Sequence, residues 1–416
     1  MTSLFAAVQS GDTQQVRNLL SRPPHEVNVN EIQDGKTPLF VACDNGYFEI
    51  VQLLLNRQDI DLNRRCVKED REKMKRVEMT ALQAAAENDN TEIARLLLSR
   101  PNIDVNIKYT EQKKDKTKEK TTLLTSVKKE NIQIVQLLIN RPEIDVNIKY
   151  IKHSSDKIEE KTALHIATDR KNLQIAQLLL SRPNIDTNIK AIKKSDDKTT
   201  EMTALHIAID NKGTEIVRLL LQRPEIDVNI KSTKKSNKKY KEKTALHMAT
   251  KEGDEQAVQL LLARPNIDCN IKYIKQEKDK SEELTALGIA AQNGLTQIVR
   301  ILLQSPSIDV NVRSIVRSED KDVQVTPLHI AADEGNDQIV ALLLTRPNID
   351  VNIRSSEKVD GMTLQKTALM IAAEKNNVQI VRLLMQNHLI DVNIRDENGK
   401  TASELTQSPE IKALIH

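Results

Sequence analysis

The sequence has no tryptophan, three phenylalanines and five tyrosines, and only 10 glycines among its 416 residues. Hydrophobic residues make up 39% of the chain, below the roughly 45–50% of a typical soluble domain. So few large apolar side chains could not fill one deep core, but leucine, isoleucine and alanine could line a long, thin one. This composition favours an elongated repeat protein in which each unit packs against its neighbours.

Several classes of protein are excluded by what the chain lacks. It has no run of 18 apolar residues that could span a membrane, and its start, MTSLFAAVQSGD, lacks the basic region of a secretory signal. The three cysteines, Cys43, Cys66 and Cys269, are too far apart for a metal motif and give no disulfide framework. We therefore expect a protein of a reducing compartment, with a cytoplasmic location.

A threonine followed by a small residue or proline and then leucine recurs along the whole chain. The first step is 43 residues, the next seven are 41 and the last is 34. An earlier phase begins at Thr2, and the others begin at Thr37, Thr80, Thr121, Thr162, Thr203, Thr244, Thr285, Thr326, Thr367 and Thr401. The repeat predicts a single domain over 1–416, with an N-terminal cap unit at 1–36, nine repeats at 37–400 and a C-terminal cap at 401–416.

One unit, residues 162–190, shows how the pattern predicts structure. Thr162 suits a helix N-cap, and the same slot is followed by proline at Pro38 and Pro327, the favoured first helical residue. A second helix follows, with leucines and isoleucines at helical spacing, and Arg182–Pro183 ends it. Each helix is too short to be stable alone, so successive helix pairs must stack.

With TALHIA, the IV–LLL helix and the DVN turn in place, the units resemble ankyrin repeats. The usual ankyrin repeat has about 33 residues, so the middle units are about eight residues longer, mostly in the hairpin that follows the second helix. The RPNIDVNIK wording also resembles the large ankyrin families of parasitic protists. The resemblance implies an all-α repeat fold, an ankyrin-type solenoid of about ten helix-turn-helix units with extended β-hairpin or loop fingers. The polar helix pair at 3–20 and the Ser408–Pro409–Glu410 helix start look like finished ends, from which we expect a complete protein.

The lengthened hairpins, which we call fingers, contain an excess of positive charge. Together they have a net charge of +15, so the helical body must have −12 for the total of +3. The fingers are, in order from finger 1 to finger 8, residues 64–79, 108–120, 149–161, 190–202, 231–243, 272–284, 313–325 and 354–366. Finger 5 is the most basic at +6, and finger 2 is second in the clustering of its lysines.

Two clusters in these fingers are candidate partner-binding residues. In finger 2 they are Lys113, Lys114, Lys116 and Lys118, and in finger 5 they are Lys234, Lys235, Lys238, Lys239, Tyr240 and Lys241. Lysine-rich loops are most often solvated faces that protect sheet edges and maintain solubility. The functional alternative is contact with an acidic polymer. Nucleic acid is disfavoured, because arginine readers and stacking platforms are lacking, and Tyr109, Tyr150 and Tyr273 share a slot that suits hairpin packing.

Catalytic and metal chemistry is not indicated. The histidines at one repeat slot, His165, His206, His247 and His329, recur at multiples of 41, too far apart for one zinc ion. In ankyrin repeats this histidine forms structural hydrogen bonds near the hairpin. The recurring aspartates, such as Asp145, Asp186 and Asp227, suit turns. We expect no enzyme activity, no cofactor and no metal.

The sequence therefore predicts a non-catalytic scaffold, monomeric on its own, that binds an unidentified protein through its concave face and basic fingers. By family analogy, Asp169–Lys171, Asp210–Lys212 and Lys251–Glu252 on the inner helices are further contacts. The alternative is an electrostatic tether or structural component on an acidic polymer such as microtubules, with tubulin as the partner and a cytoskeletal location, or on an anionic membrane surface.

Overall fold

The computed structural model describes residues 3–70, 72–359 and 362–416. The repeat phase at Thr2 lies outside these described residues. The chain divides into two compact units, Met1–Asp196 and Asp197–His416. The assignment of residues 1–416 to a single domain stays a prediction.

The first unit alternates helix pairs with strand pairs. Its helices are α1 (Leu4–Gln9), α2 (Thr13–Leu20), α3 (Pro38–Asn45), α4 (Phe48–Leu55), α5 (Ala81–Glu87), α6 (Thr91–Leu98), α7 (Thr122–Lys129), α8 (Ile132–Ile139), α9 (Ala163–Asp169) and α10 (Leu173–Leu180). Its strands are β1 (Cys66–Asp70), β2 (Lys75–Met79), β3 (Tyr109–Lys113), β4 (Lys116–Lys120), β5 (Tyr150–Ser154), β6 (Lys157–Lys161) and β7 (Lys190–Ser195). A short 3₁₀ helix lies at Pro24–Glu26.

The second unit repeats the same order of elements. Its helices are α11 (Ala204–Asp210), α12 (Thr214–Leu221), α13 (Ala245–Lys251), α14 (Glu255–Leu262), α15 (Ala286–Gln292), α16 (Thr296–Leu302), α17 (Pro327–Asp333), α18 (Asp337–Leu344), α19 (Ala368–Glu374), α20 (Val378–Met385), α21 (Ala402–Leu405) and α22 (Pro409–Ile415). Its strands are β8 (Lys198–Thr203), β9 (Ser232–Ser236), β10 (Lys239–Lys243), β11 (Tyr273–Glu277), β12 (Lys280–Leu284), β13 (Ser314–Arg317), β14 (Lys321–Val325), β15 (Ser356–Val359) and β16 (Met362–Leu364).

From α3 onward, the recurring threonine is the N-cap of the first helix of each pair, as predicted. The Thr37 hydroxyl accepts a hydrogen bond from the Phe40 N–H at 3.3 Å, with Pro38 in the first turn. Ser408 caps α22 in the same way, accepting from the Ile411 N–H. These caps satisfy backbone donors that a helix start leaves without a partner.

The helices of each unit form two layers. First helices pack on first helices, as α13 on α15 and α15 on α17, and second helices pack on second helices, as α14 on α16. Buried leucines, isoleucines, valines and alanines fill the space between the layers. The core is therefore thin and continuous along each unit, as the composition predicts.

The loops that follow the second helices link neighbouring repeats. The Asp145 carboxylate accepts the Asn147 N–H at 2.9 Å, which confirms the predicted turn role of this aspartate. The Asn147 side chain then donates to the Asn184 carbonyl at 2.8 Å and accepts the Asp186 N–H at 2.9 Å. The arginine of the Arg–Pro pairs adds a link that the sequence did not indicate, since Arg264 donates to the carbonyl of Leu221 at 2.8 Å, at the end of the preceding second helix.

In the second unit, fingers 5 to 8 are antiparallel hairpins. The second strand of fingers 5, 6 and 7 also pairs with the first strand of the next finger. In finger 5, Lys241 is opposite Lys234 of the same finger and Lys275 of finger 6. The all-α class is therefore not confirmed. The strands pair from finger to finger because the constant repeat length brings successive fingers to the spacing at which their backbones form hydrogen bonds. The lysine-rich KKDKTKEK segment of finger 2 contains β4, which begins at Lys116 and pairs with β3. The count of about ten repeats stays a prediction.

Candidate partner-binding face

The fingers have two chemically different faces. Successive side chains on a strand point to opposite sides, and in β11 the buried Tyr273 packs with Ile289 of the first helix α15. Lys275, two residues further on, lies on the same side, which we call the inner face. The outer face is the opposite side, and it includes Ile274 and Gln276.

One row of inner-face side chains crosses the second unit from strand to strand. Its members are neighbours in the strand register. Along the row they change from basic to acidic to apolar, and the last member is acidic again. From β9 to β15 they are Lys234, Lys241, Lys275, Glu282, Val316, Val323 and Glu357.

The six candidate residues of finger 5 do not form one cluster, because the strand alternation divides them. Lys234, Lys239 and Lys241 lie on the inner face, Lys235 and Tyr240 on the outer face, and Lys238 in the turn. Tyr240 donates to Glu242 on its own strand, and burial, followed by that hydrogen bond, raises the pKa of Tyr240 to about 12. Tyr240 is therefore held by its own finger, and the inner lysines are the stronger candidates.

The inner lysines of finger 5 interact electrostatically with a further lysine on the helix behind them. Burial lowers the pKa of Lys241, and the charge of Lys251, the last residue of α13, lowers it further, whereas Glu277 raises it. Burial also lowers the pKa of Lys243. The charge of Asp210 raises this pKa, and the charge of Lys251 lowers it further. Among the described residues, no carboxylate lies within ion-pair distance of Lys234, Lys241 or Lys251. We call Lys234, Lys241, Lys243 and Lys251 the cationic site.

The slot of Lys251 is acidic in most other repeats. In the repeat that begins at Thr162, Lys161 pairs with Asp169 at 3.0 Å. In the repeat that begins at Thr367, Lys366 pairs with Glu374 at 2.6 Å. Lys243 and Lys251 stand at the same two positions, so an ion pair is replaced by two like charges. The acids of the slot are Asp44, Glu87, Asp169, Asp210, Asp333 and Glu374.

One of the four candidate lysines of finger 2 has an acidic partner. Lys118 pairs with Glu111 of the same finger at 2.8 Å. Lys113 and Lys116 are exposed and opposite each other, and Lys114 lies in the turn with a φ of +51°. Among the described residues, the candidate lysines of finger 2 without an acidic partner are therefore those at its exposed tip.

A buried network at the base of finger 2 uses the remaining charges. Lys120 pairs with Glu87 at 2.5 Å, and Tyr109 donates to the same carboxylate. Burial raises the pKa of Glu87, but Lys120 and Tyr109 together outweigh burial and lower it. Lys128, which shares the slot of Lys251, lies 5.1 Å from the centre of the Tyr150 ring. Tyr109, Tyr150 and Tyr273 are all buried, which confirms their predicted role in packing.

Carboxylates on the outer face neutralise the lysines at the base of the fingers. Lys231 pairs with Glu242 at 3.2 Å and Lys149 with Glu160 at 2.9 Å. The number of lysines in a finger therefore overstates how many of them are without an acidic partner. A count over the sequence could not detect this, because the paired residues are eleven positions apart and meet only in the hairpin register.

In finger 7 the inner face has three valines, beside Ser314 and Lys321. Val316 and Val323 of this finger, with Val325 at its base, border a groove of about 310 Å³ in front of α17 and α19. Ile330 and Ile371 of these helices complete its apolar lining. Val316 is 36% exposed, and the other four side chains are half-buried. We call these five residues the apolar groove.

The histidine slot is structural. His329 accepts the Thr326 N–H at 3.3 Å through Nδ1, and its Nε2 lies 3.1 Å from the Lys366 carbonyl of the next finger, to which it donates. Burial lowers the pKa values of His247 and His329 to about 4, so both side chains are neutral at pH 7. Gln83 substitutes for histidine in its repeat, since it accepts the Thr80 N–H and donates to the Ile107 carbonyl.

Family models match nearly the whole chain. A model described as ankyrin repeats (3 copies) matches residues 4–109, 62–150, 107–191, 147–232, 186–273 and 271–355, and one described as ankyrin repeats (many copies) matches 359–405. The chain belongs to the ankyrin-repeat family. This confirms the resemblance read from TALHIA and the 41-residue period.

Solved ankyrin structures are similar to parts of the chain. One is the ankyrin-repeat domain of Bcl-3, described as a unique member of the IκB protein family, with 21% identity over 61% of this chain and 96% of that chain, at a TM-score of 0.43. Another is the human ASB11 ankyrin-repeat domain, with 18% identity over 61% of this chain and 97% of that chain, at a TM-score of 0.38. No curated protein matches the sequence.

Against this ankyrin background, two features of the face were missed by reasoning from the sequence. Family analogy pointed to Lys251–Glu252, but not to the electrostatic interaction of Lys251 with Lys241 and Lys243. The apolar groove was not predicted at all. A comparison of the 41-residue repeats slot by slot would have signalled both, because lysine replaces an acid at 251 and valine replaces lysine at 316 and 323.

The described residues show neither a metal centre nor a membrane helix. Nowhere in them do three His, Cys, Asp or Glu side chains group to hold a metal ion. None of the helices that the structure describes is both long and apolar enough to cross a bilayer. Cys43, Cys66 and Cys269 are free thiols and are buried.

Proposed function

We propose that this ankyrin-repeat protein is a non-catalytic scaffold that binds an acidic segment of a protein partner at the cationic site. Ankyrin repeats generally mediate protein–protein interaction. The observation on which the proposal rests is the replacement of an ion pair by Lys243 and Lys251, next to Lys234 and Lys241, which are opposite each other in the sheet.

The energetics of the free protein support an acidic partner. Like charges directly opposite each other in a sheet are destabilising, and burial opposes the charged form of Lys241 and Lys243. A carboxylate placed between these ammonium groups relieves their repulsion and restores the pairing that Lys161 and Asp169 have within the chain. Charge would mainly set the orientation and association rate of the partner.

The cellular setting that we propose rests on the cysteines. The buried free thiols suit a reducing compartment, so we place the protein in the cytoplasm, monomeric before it meets its partner. The first helices lie behind the fingers, so the partner contacts both α13 and finger 5. Catalysis forms no part of the proposal, because the conserved geometry of the repeat uses its histidines and turn aspartates for hydrogen bonds within the chain.

A titration of the full chain with a fluorescent peptide of alternating glutamate and glycine tests the proposal. We expect binding at physiological ionic strength that K234E/K241E weakens at least about tenfold, since two attractions become two repulsions. The matched control is K113E/K116E in finger 2, which makes the same change in charge at an exposed tip. We expect the control to weaken binding by less than about threefold.

The same titration separates the proposal from the electrostatic tether. A tether on microtubules or on anionic vesicles depends on the total charge of the fingers, so both double variants would weaken co-sedimentation equally and binding would vanish steeply as salt rises. Equal losses for the two variants would contradict a site at finger 5. The absence of any binding to the acidic peptide would contradict the proposal as a whole.

A further inference from the structure

The apolar groove stands at the positions that form the cationic site two repeats earlier. Lys234, Lys241 and Lys243 of finger 5 correspond to Val316, Val323 and Val325 of finger 7. A ligand that covers these three partly exposed valines removes apolar area from water, which is favourable. A concave apolar surface of this kind favours a ligand with an apolar side chain.

The inner row joins the two sites in a fixed order. Between Lys241 and Val316 there are three strand steps, and between Lys234 and Val323 there are five. Neighbouring strands lie about 4.8 Å apart, so the separation is about 14 to 24 Å. An extended peptide rises about 3.3 Å per residue and covers that distance in about four to seven residues.

Carboxylates around the apolar groove define which end of a ligand can lie there. Glu282 precedes the valines in the row and pairs with Lys275 at 2.8 Å, and Glu357 follows them and pairs with Lys321 at 2.5 Å. Asp333 and Glu374 also border the groove, each paired with a lysine, and Glu334 borders it without an ion pair among the described residues. The lysines that line the groove already have acidic partners, so further acidic residues of a ligand gain no pairing there and are repelled by Glu334.

We propose that the partner segment has two parts: acidic residues that occupy the cationic site and, about four to seven residues away, one apolar side chain that occupies the apolar groove, with no acidic residue beyond it. This inference rests on the proposed function and specifies the partner. The acidic part gives orientation and the apolar part fixes the register. The occupant is a protein segment, because only a chain with a regular backbone spans both sites with this spacing.

Selection from a displayed library of random linear peptides on the full chain tests the inference. The wild type should enrich peptides in which an acidic cluster is followed after about four to seven residues by leucine, isoleucine, valine, methionine or phenylalanine. V316K/V323K restores the lysines that finger 5 has at these positions. It should keep the acidic preference and lose the apolar one, whereas K234V/K241V should do the reverse.

A synthetic copy of one enriched peptide provides the quantitative readout. Replacing its apolar residue by serine should weaken binding to the wild type about tenfold but leave binding to V316K/V323K almost unchanged. Circular dichroism of each variant at 25 °C establishes that it is folded, and because both variants alter half-exposed positions they should retain the wild-type spectrum.

The outcomes separate this inference from the proposed function. Enrichment of acidic peptides without an apolar residue at a fixed spacing would overturn the inference and leave the proposed function standing. Enrichment of apolar peptides without acidic residues would overturn both the two-part segment and the acidic site. Failure to enrich any peptide above an unrelated control protein would also overturn both.

Discussion

Finger 5 and finger 7 have the same backbone and opposite surfaces. Both are antiparallel hairpins in the same register, and both precede a helix with a buried histidine, His247 or His329. At three equivalent inner positions one finger has lysine and the other valine, and Lys251 is replaced by Asp333. The hydrogen-bonding residues of the repeat thus fix the scaffold, and the inner positions remain available to vary with the ligand.

The largest effect that tests this comparison concerns what the two regions share. His247 and His329 have pKa values of about 4 in the folded chain and about 6.5 when unfolded. Between these values the unfolded chain binds more protons, so the free energy of unfolding falls as the pH falls from 6.5 towards 4. We expect each histidine to contribute a loss of about 2 kcal/mol between pH 7.5 and pH 5.

Urea denaturation at the two pH values measures this loss, and glutamine provides the control. Gln83 stands in the same slot and makes, without titrating, the two hydrogen bonds that His165 makes with a threonine N–H and an isoleucine carbonyl, so H247Q/H329Q should fold and lose the part of the pH dependence that these two histidines contribute. A wild-type stability that is equal at pH 7.5 and pH 5, or an unchanged slope in the double variant, would contradict the shared structural role.

The next effect concerns what distinguishes the two fingers. K234V/K241V/K243V gives finger 5 the valines of finger 7, removes repulsion between opposite lysines and introduces a residue of higher β propensity. We expect the free energy of unfolding to rise by about 1 to 2 kcal/mol, measured by urea denaturation at pH 7.5.

The reciprocal exchange, V316K/V323K/V325K, is the matched variant and should lower the free energy of unfolding by a similar amount. If both exchanges destabilise the protein equally, the lysines of finger 5 are not under repulsion and the comparison of the two fingers is wrong.

The smallest effect is that of one helix residue. Lys251→Asp places next to Lys243 the acid that Lys161 has in Asp169, at 3.0 Å. Such partly exposed pairs are worth about 0.2 to 1 kcal/mol, so we expect a gain of this size in the free energy of unfolding. In a chain that already has K243M the same substitution lacks the new pair, so its gain relative to K243M should be smaller. The same gain in both variants would contradict the pairing.

The scaffold could be predicted from the sequence because its signals are local. Thr37 followed by Pro38 defines a helix start, and the aspartate of IDVN, such as Asp145, bonds to a backbone N–H two residues away. The His165 slot also repeats with the helix start, so its structural role followed from the family resemblance.

The face could be predicted only in part, because it depends on contacts between repeats. Lys235 and Lys241 are close in sequence but lie on opposite faces, which appears only when the strand register is known. The pairing of Lys231 with Glu242 joins the two strands of a hairpin. The electrostatic interaction of Lys241 with Lys251 could be predicted only if both the strand register and the position of α13 were known. Composition therefore identified finger 5 but not which of its lysines act together.

Lysine footprinting by acetylation and mass spectrometry, with and without a saturating acidic peptide, tests the central claim most directly. We expect the peptide to protect Lys234, Lys241 and Lys251 from acetylation and to leave Lys235 and Lys238 reactive. Equal protection of the inner and outer lysines, or protection confined to Lys235 and Lys238, would contradict a cationic site on the inner face of finger 5.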